Sequence, residues 1–171
     1  MGGRKALINW AKTIERRGNT TGNCAHVAVT GILPPRYGPN LKTWLRDAEL
    51  GGISSESLLI KYEQRGVVEY GAVTIGEEDP RFNNLVRESE TFLNIPEAAG
   101  IVLSEPSRLV EGATHDFSIR GPIEEGKALL FDNARELPVG ETTVEEALRR
   151  AAKLKDRRNV ILVFKGENWP R

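Results

Sequence analysis

The sequence predicts an α+β fold, with helices in the first half and a mainly antiparallel sheet after them. Three observations predict it. Apolar residues in the first half recur at spacings of three and four, the repeat of a helix face. Short runs rich in β-formers dominate the last third, at 99–103, 113–120, 128–131 and 160–164. Gly121 to Gly126 has turn chemistry and joins two of those runs as a hairpin, so that pair is antiparallel.

Taken in order, residues 4–17 read as a helix, because Leu7, Trp10, Ala11 and Ile14 form one apolar stripe that Gly18 ends. After the polar turn at 19–23, a second helix begins near Cys24. Ala25, Val27, Ala28 and Val29 pack, and Gly31-Ile-Leu-Pro-Pro stops it. Residues 34–40 form a loop. Asn40 caps a short helix carrying Leu41, Trp44, Leu45 and Ala48, which Gly51-Gly52 ends. Ser55 caps the next, running through Leu58, Leu59 and Tyr62 to Gly66. Residues 67–75 are rich in β-formers and read as strand. Asp79-Pro80 opens a helix that buries Leu85 and Phe92. Thr143-Val-Glu-Glu146 is a capping box, and Val144, Ala147, Leu148 and Ala151 continue the helix it opens.

With 171 residues and no internal repeat, low-complexity segment or linker, the chain reads as one domain over 1–171. Hydrophobic residues at 39% and charged residues at 28% match a globular protein. Lys+Arg and Asp+Glu both number 24, so nothing in the overall charge favours nucleic acid or an anionic membrane as partner. A single cysteine excludes an internal disulfide framework and a multi-cysteine zinc site. No apolar stretch approaches the roughly 20 residues that span a bilayer. The residues from Met1 to Leu7 lack the apolar core of a secretory signal, and the compartment stays open. No phosphate-binding loop, dinucleotide fingerprint or metal-ligand cluster is evident, so neither cofactor nor metal is expected.

The chemistry-bearing residues are few. Cys24 sits in Gly-Asn-Cys-Ala-His-Val-Ala, where a helix starts. A thiol titrates near pH 8.5, and a helix N-terminus or a neighbouring imidazolium lowers that by several units. Gly22 leaves room for a substrate carbonyl. The Cys24 N–H and the Asn23 side chain are candidate oxyanion donors. The alternative is that Cys24 is a small buried hydrophobe. Of the two histidines, His26 is turned about 200° from Cys24 on a helix and reads as a surface or packing residue. His115 is left as the only candidate base, on a strand face shared with Phe117 and Ile119, where a satisfied core histidine is the alternative. Across the hairpin, Asp132 follows the apolar run Leu129-Leu-Phe and needs a partner if buried; a histidine on the adjacent strand supplies one. Asn133 can orient a ring as well, but alternation sends the two to opposite faces, so only one serves. Both also fit a strand-ending turn. Glu105 and Asp116 are a weaker acid–base pair that nothing positions together. The pairs Arg16-Arg17, Arg149-Arg150 and Arg157-Arg158 read as solvated faces.

These residues resemble a known family. Gly22-Asn-Cys-Ala-His-Val-Ala28 resembles the Asn-Cys motif that opens the catalytic helix of the papain-fold toxin domains of bacterial polymorphic toxin systems. Gly100-Ile-Val-Leu103, His115-Asp-Phe-Ser-Ile and Leu130-Phe-Asp-Asn133 resemble the later strands that carry that family's histidine and aspartate, and Val160-Ile-Leu-Val-Phe164 has a counterpart there. The resemblance runs from about residue 20 to 165, with 34–98 matching nothing named. Thr114 stands where glycine often precedes the histidine, and Asn133 adjoins the place of a common glutamine.

The resemblance implies a papain-like fold, with the cysteine helix packed on the sheet. It implies Cys24 as nucleophile, His115 as base and acid, and Asp132 as orienter. It also implies a delivered effector acting on a protein substrate, by glutamine deamidation or by peptide or isopeptide cleavage, with a cognate inhibitor protein in the producing cell. The competing expectations are a non-catalytic protein-binding module and a nucleic-acid-processing toxin, the latter needing a basic groove.

Overall fold

The structure, a computed structural model, describes residues 23–37, 43, 46–47, 52–134, 139–155 and 157–170. The helix expected at 4–17, Gly22 and most of the helix expected at 40–48 lie outside these residues. Among the described residues four α-helices and six strands are formed: α1 (Cys24–Ile32), α2 (Ser55–Gln64), β1 (Val68–Val73), α3 (Phe82–Leu93), β2 (Ala98–Pro106), β3 (Thr114–Glu124), β4 (Lys127–Phe131), β5 (Val139–Thr142), α4 (Val144–Ala152) and β6 (Val160–Lys165). The fold is α+β, with helices preceding an antiparallel sheet ordered β1-β6-β2-β3-β4-β5. No helix among the described residues is long and apolar enough to cross a membrane.

Strand alternation splits the core in two. Ile101 and Leu103 of β2, Phe117 and Ile119 of β3, and Ala128 and Leu130 of β4 face α3 and α4. Val102 of β2 and Ile161 and Val163 of β6 face the other way, onto α1 and α2. Helix α1 packs chiefly against β3. Two polar contacts key it there: the Ser118 hydroxyl donates to the Ala28 carbonyl at 2.6 Å, and Arg120 donates to the Gly31 carbonyl at 3.2 Å. The close approach requires glycine at 31, because a Cβ there would fall on the ring of Phe131.

Local chemistry departs from the sequence expectation in three places. Ser54, not Ser55, caps α2, its hydroxyl accepting from the Ser57 N–H at 3.1 Å. Ser55 is turned instead to the buried Asp116, donating at 2.6 Å, so a long-range acceptor takes the hydroxyl that local pattern assigned to the cap. In α3, Phe82, Val86, Ser89 and Leu93 are the buried positions. Leu85 and Phe92 are only partly buried, at the rim of that core. Strand β5, which sequence patterning did not anticipate, pairs with β4. The cap of α4 is as expected, with Thr143 accepting from the Glu146 N–H at 3.1 Å; the Glu146 carboxylate is met by Thr142, 3.4 Å away.

Candidate active site

The first residue of α1 is Cys24, half-buried, so the sulfur stands in the first turn, where the helix N–H groups point outward. Asn23 precedes it as the N-cap residue, without a side-chain cap bond. Its side chain is buried, and Oδ1 has no hydrogen-bond partner among the described residues. His26 is packed inside rather than exposed, and its Nε2 meets Asp47 at 2.6 Å.

Helix α1 and the strand residues approach from opposite layers and meet at one end of the sheet. His115 is the second residue of β3, and Asp132 follows β4 directly. In the β3–β4 register Ser118 pairs with Phe131, which brings Asp132 beside the start of β3 and on the face of Leu130. His115 Nε2 and Asp132 Oδ1 are 2.6 Å apart. The imidazole also lies over Phe117, with ring centroids 6.4 Å apart and planes at 17°. With Nε2 on the carboxylate, Nδ1 is the nitrogen left for the Cys24 thiol. Asp132 is thus the residue on the ring, and Asn133, also buried, has the opposite strand parity.

Electrostatics follow from these contacts. Burial pulls the His115 pKa down, but hydrogen bonds to Asp132 and Cys24 and the charges of both outweigh it and raise the pKa from 6.5 to about 10. Burial pushes Asp132 up, yet His115 and then Arg150 outweigh that and lower it from 3.8 to about 2. Around neutral pH the pair is therefore imidazolium and carboxylate.

Arg150 and Glu105 complete the cluster, and neither was assigned to it from sequence. Arg150 Nη2 donates to Asp132 Oδ2 at 2.8 Å. Its Nε donates to Glu105 Oε1 at 3.2 Å, and Nη2 also reaches Glu105 Oε2. The guanidinium carbon stands 3.8 Å from the centroid of Phe117. Arg150 is therefore no solvated residue: its side chain is 24% exposed, against 58% for Arg149, which does face solvent. Arg157 and Arg158 also face solvent, as expected.

Glu105 and Asp116 do not pair. Asp116 accepts from the hydroxyls of Ser55 and Ser104, each at 2.6 Å. The signal for Glu105 was its parity: it shares the inward side of β2 with Ile101 and Leu103, where a carboxylate demands a cation. Arg150 comes three residues after Ala147, at the border of the apolar stripe of α4.

Ligand atoms of Glu105, His115 and Asp132 lie within 4.8 Å of one another, a grouping able to hold a metal that the sequence did not reveal. The Arg150 guanidinium, bonded to both carboxylates, already supplies their positive charge. A cation there would displace it, so the residues fit a metal poorly. A separate depression of about 250 Å³, lined by Val73, Ile75, Arg81, Asn84, Leu85 and Glu88, shares no residue with the cluster. The sequence matches no protein-family model and no curated protein.

Proposed function

We propose that the chain is a papain-like cysteine hydrolase acting on an amide, with glutamine deamidation in a target protein as its first reaction and peptide or isopeptide cleavage as the same chemistry on a different leaving group. The observation that carries this reading is His115 held on Asp132 at 2.6 Å with the Cys24 thiol, at the start of α1, as its other partner. A thiol at a helix N-terminus with a histidine–aspartate pair beside it is the arrangement of a cysteine nucleophile and its acid–base partner.

In this reading the Cys24 thiolate attacks the amide carbon, forming a C–S bond and pushing the carbonyl electrons onto oxygen. The oxyanion is met by the Cys24 N–H and the Asn23 side-chain amide. His115 gives its proton to the amide nitrogen, the C–N bond breaks, and ammonia or an amine leaves. Water then attacks the thioester. His115 takes the water's proton, the C–S bond breaks, and an acid remains beside the regenerated thiolate and imidazolium. Asp132 keeps the ring oriented and stabilises its charge throughout. A protein of this kind, if it acts as a toxin, requires an inhibitor protein in the cell that makes it.

The test is a mass measurement on candidate target proteins after exposure, seeking an amide turned to acid or a new chain end. Cys24→Ala should lower the rate by about 10⁴-fold or more while changing stability by no more than about 1 kcal/mol. A Cys24→Ala protein that retains the parent rate rules the reading out.

A further inference from the structure

We propose that Arg150 is a positioning residue of this site, holding Asp132 ionised and aimed at His115, with Glu105 anchoring Arg150 from its far side. The inference rests on the cysteine-hydrolase reading. Both oxygens of Asp132 are engaged: Oδ1 accepts from His115 at 2.6 Å and from the Ala134 N–H at 3.0 Å, and Oδ2 accepts from Arg150 at 2.8 Å. The carboxylate therefore cannot rotate without breaking a bond on one side. Arg150 in turn is clamped by two contacts to Glu105 and by the face of the fully buried Phe117.

A buried histidine–aspartate pair has two ways to share one proton. It sits on the ring, giving an ion pair, or on the carboxyl, giving a neutral pair. Only the first presents Cys24 with a cation. Arg150 biases the choice by placing positive charge on the oxygen remote from the ring. The ionisable groups converging there are Glu105 from β2, His115 from β3, Asp132 after β4, Arg150 from α4 and Cys24 from α1. Without Arg150, the Glu105 carboxylate would face Asp132 with no cation between them, and Asp132 would take up a proton at a higher pH. The ring would then lose its orienter under mildly acidic conditions.

The side-chain carboxyl of Asp132 is titrated by carbon-13 NMR in the parent, Arg150→Met and Arg150→Lys. Alkylation of Cys24, the single thiol, by iodoacetamide is followed over the same pH range. Arg150→Met should move the Asp132 midpoint up by about 1–3 pH units, with an alkylation deficit that deepens as pH falls through the new midpoint. Arg150→Lys, which keeps the charge, should restore most of both. An unmoved midpoint, or a deficit equal at every pH, overturns the proposal and leaves Arg150 a packing residue. If Arg150→Met does not fold, the double variant Glu105→Gln with Arg150→Met, which leaves neither partner's charge unpaired, gives the same two readouts. A parent Cys24 inert at pH 6 and indifferent to His115→Gln means instead that the hydrolase reading has failed, and the catalytic meaning of Arg150 with it.

Discussion

Burial strips water from His115 and weakens its hold on a proton, while Asp132 and Cys24 strengthen that hold by more, to a pKa of about 10. A histidine whose folded pKa lies above its unfolded value stabilises the fold fully below about pH 6.5, and the contribution is lost as pH rises toward 10. Asp132, lowered from 3.8 to about 2, stabilises above 3.8, and its contribution is lost as pH falls toward 2. The pair should therefore give its full stabilisation between these limits. Urea unfolding across pH 6.5 to 10 should show His115 contributing a loss of stability in the parent, so that His115→Gln falls less steeply over that range. Equal slopes in both proteins would contradict the ion pair. Cys24 and His115 were legible because the chain has one cysteine and two histidines, and Asp132 because a carboxylate after so apolar a run needs a partner if buried. Arg150 was not, because it adjoins Arg149 in sequence, and one position on a helix separates a solvated cation from a buried one. Glu105 was not legible either, because the cation it meets comes from α4, far along the chain, while Asp116 stands on the other side of the sheet.

Among the elements, α1 has the most restricted position, since it must bring Cys24 to the end of the sheet. Gly31 sets how closely it lies. In an open helix, glycine to alanine stabilises by roughly 1 kcal/mol. Here the new methyl would meet Phe131, whose ring is fully buried and has nowhere to go. Gly31→Ala should destabilise by about 1–3 kcal/mol, read from chemical denaturation, and a gain in stability would show that the helix can lift. Helices α1, α2, α3 and α4 and the β3–β4 hairpin were readable from apolar spacing, caps and turn residues. Strand β5 was not, because Val-Gly-Glu-Thr has little strand pattern of its own and exists by pairing with β4. Nor was the Ser54 cap, because the choice between adjacent serines was made by Asp116, far along the chain.

At the scale of the whole molecule, the α+β class was legible and the strand order was not. Pairing of β1 with β6 joins distant parts of the chain, and no local pattern encodes it. That order makes a graded prediction. Strands β2, β3 and β6 are interior and contribute to the core on both faces or at its centre, whereas β1 and β5 lie at the edges. Amide hydrogen exchange should be slowest in β2, β3 and β6 and fastest in β5; protection of β5 equal to that of β2 would refute it. The charge cluster at the sheet end has a consequence at longer range. Glu105, Arg150, Asp132 and His115 alternate in sign and cancel, in a chain whose formal charge is also zero. The quartet casts almost no field into solution, so it exerts no distant pull on a charged molecule. Any salt dependence of encounters at this end of the protein must come from charges outside the quartet.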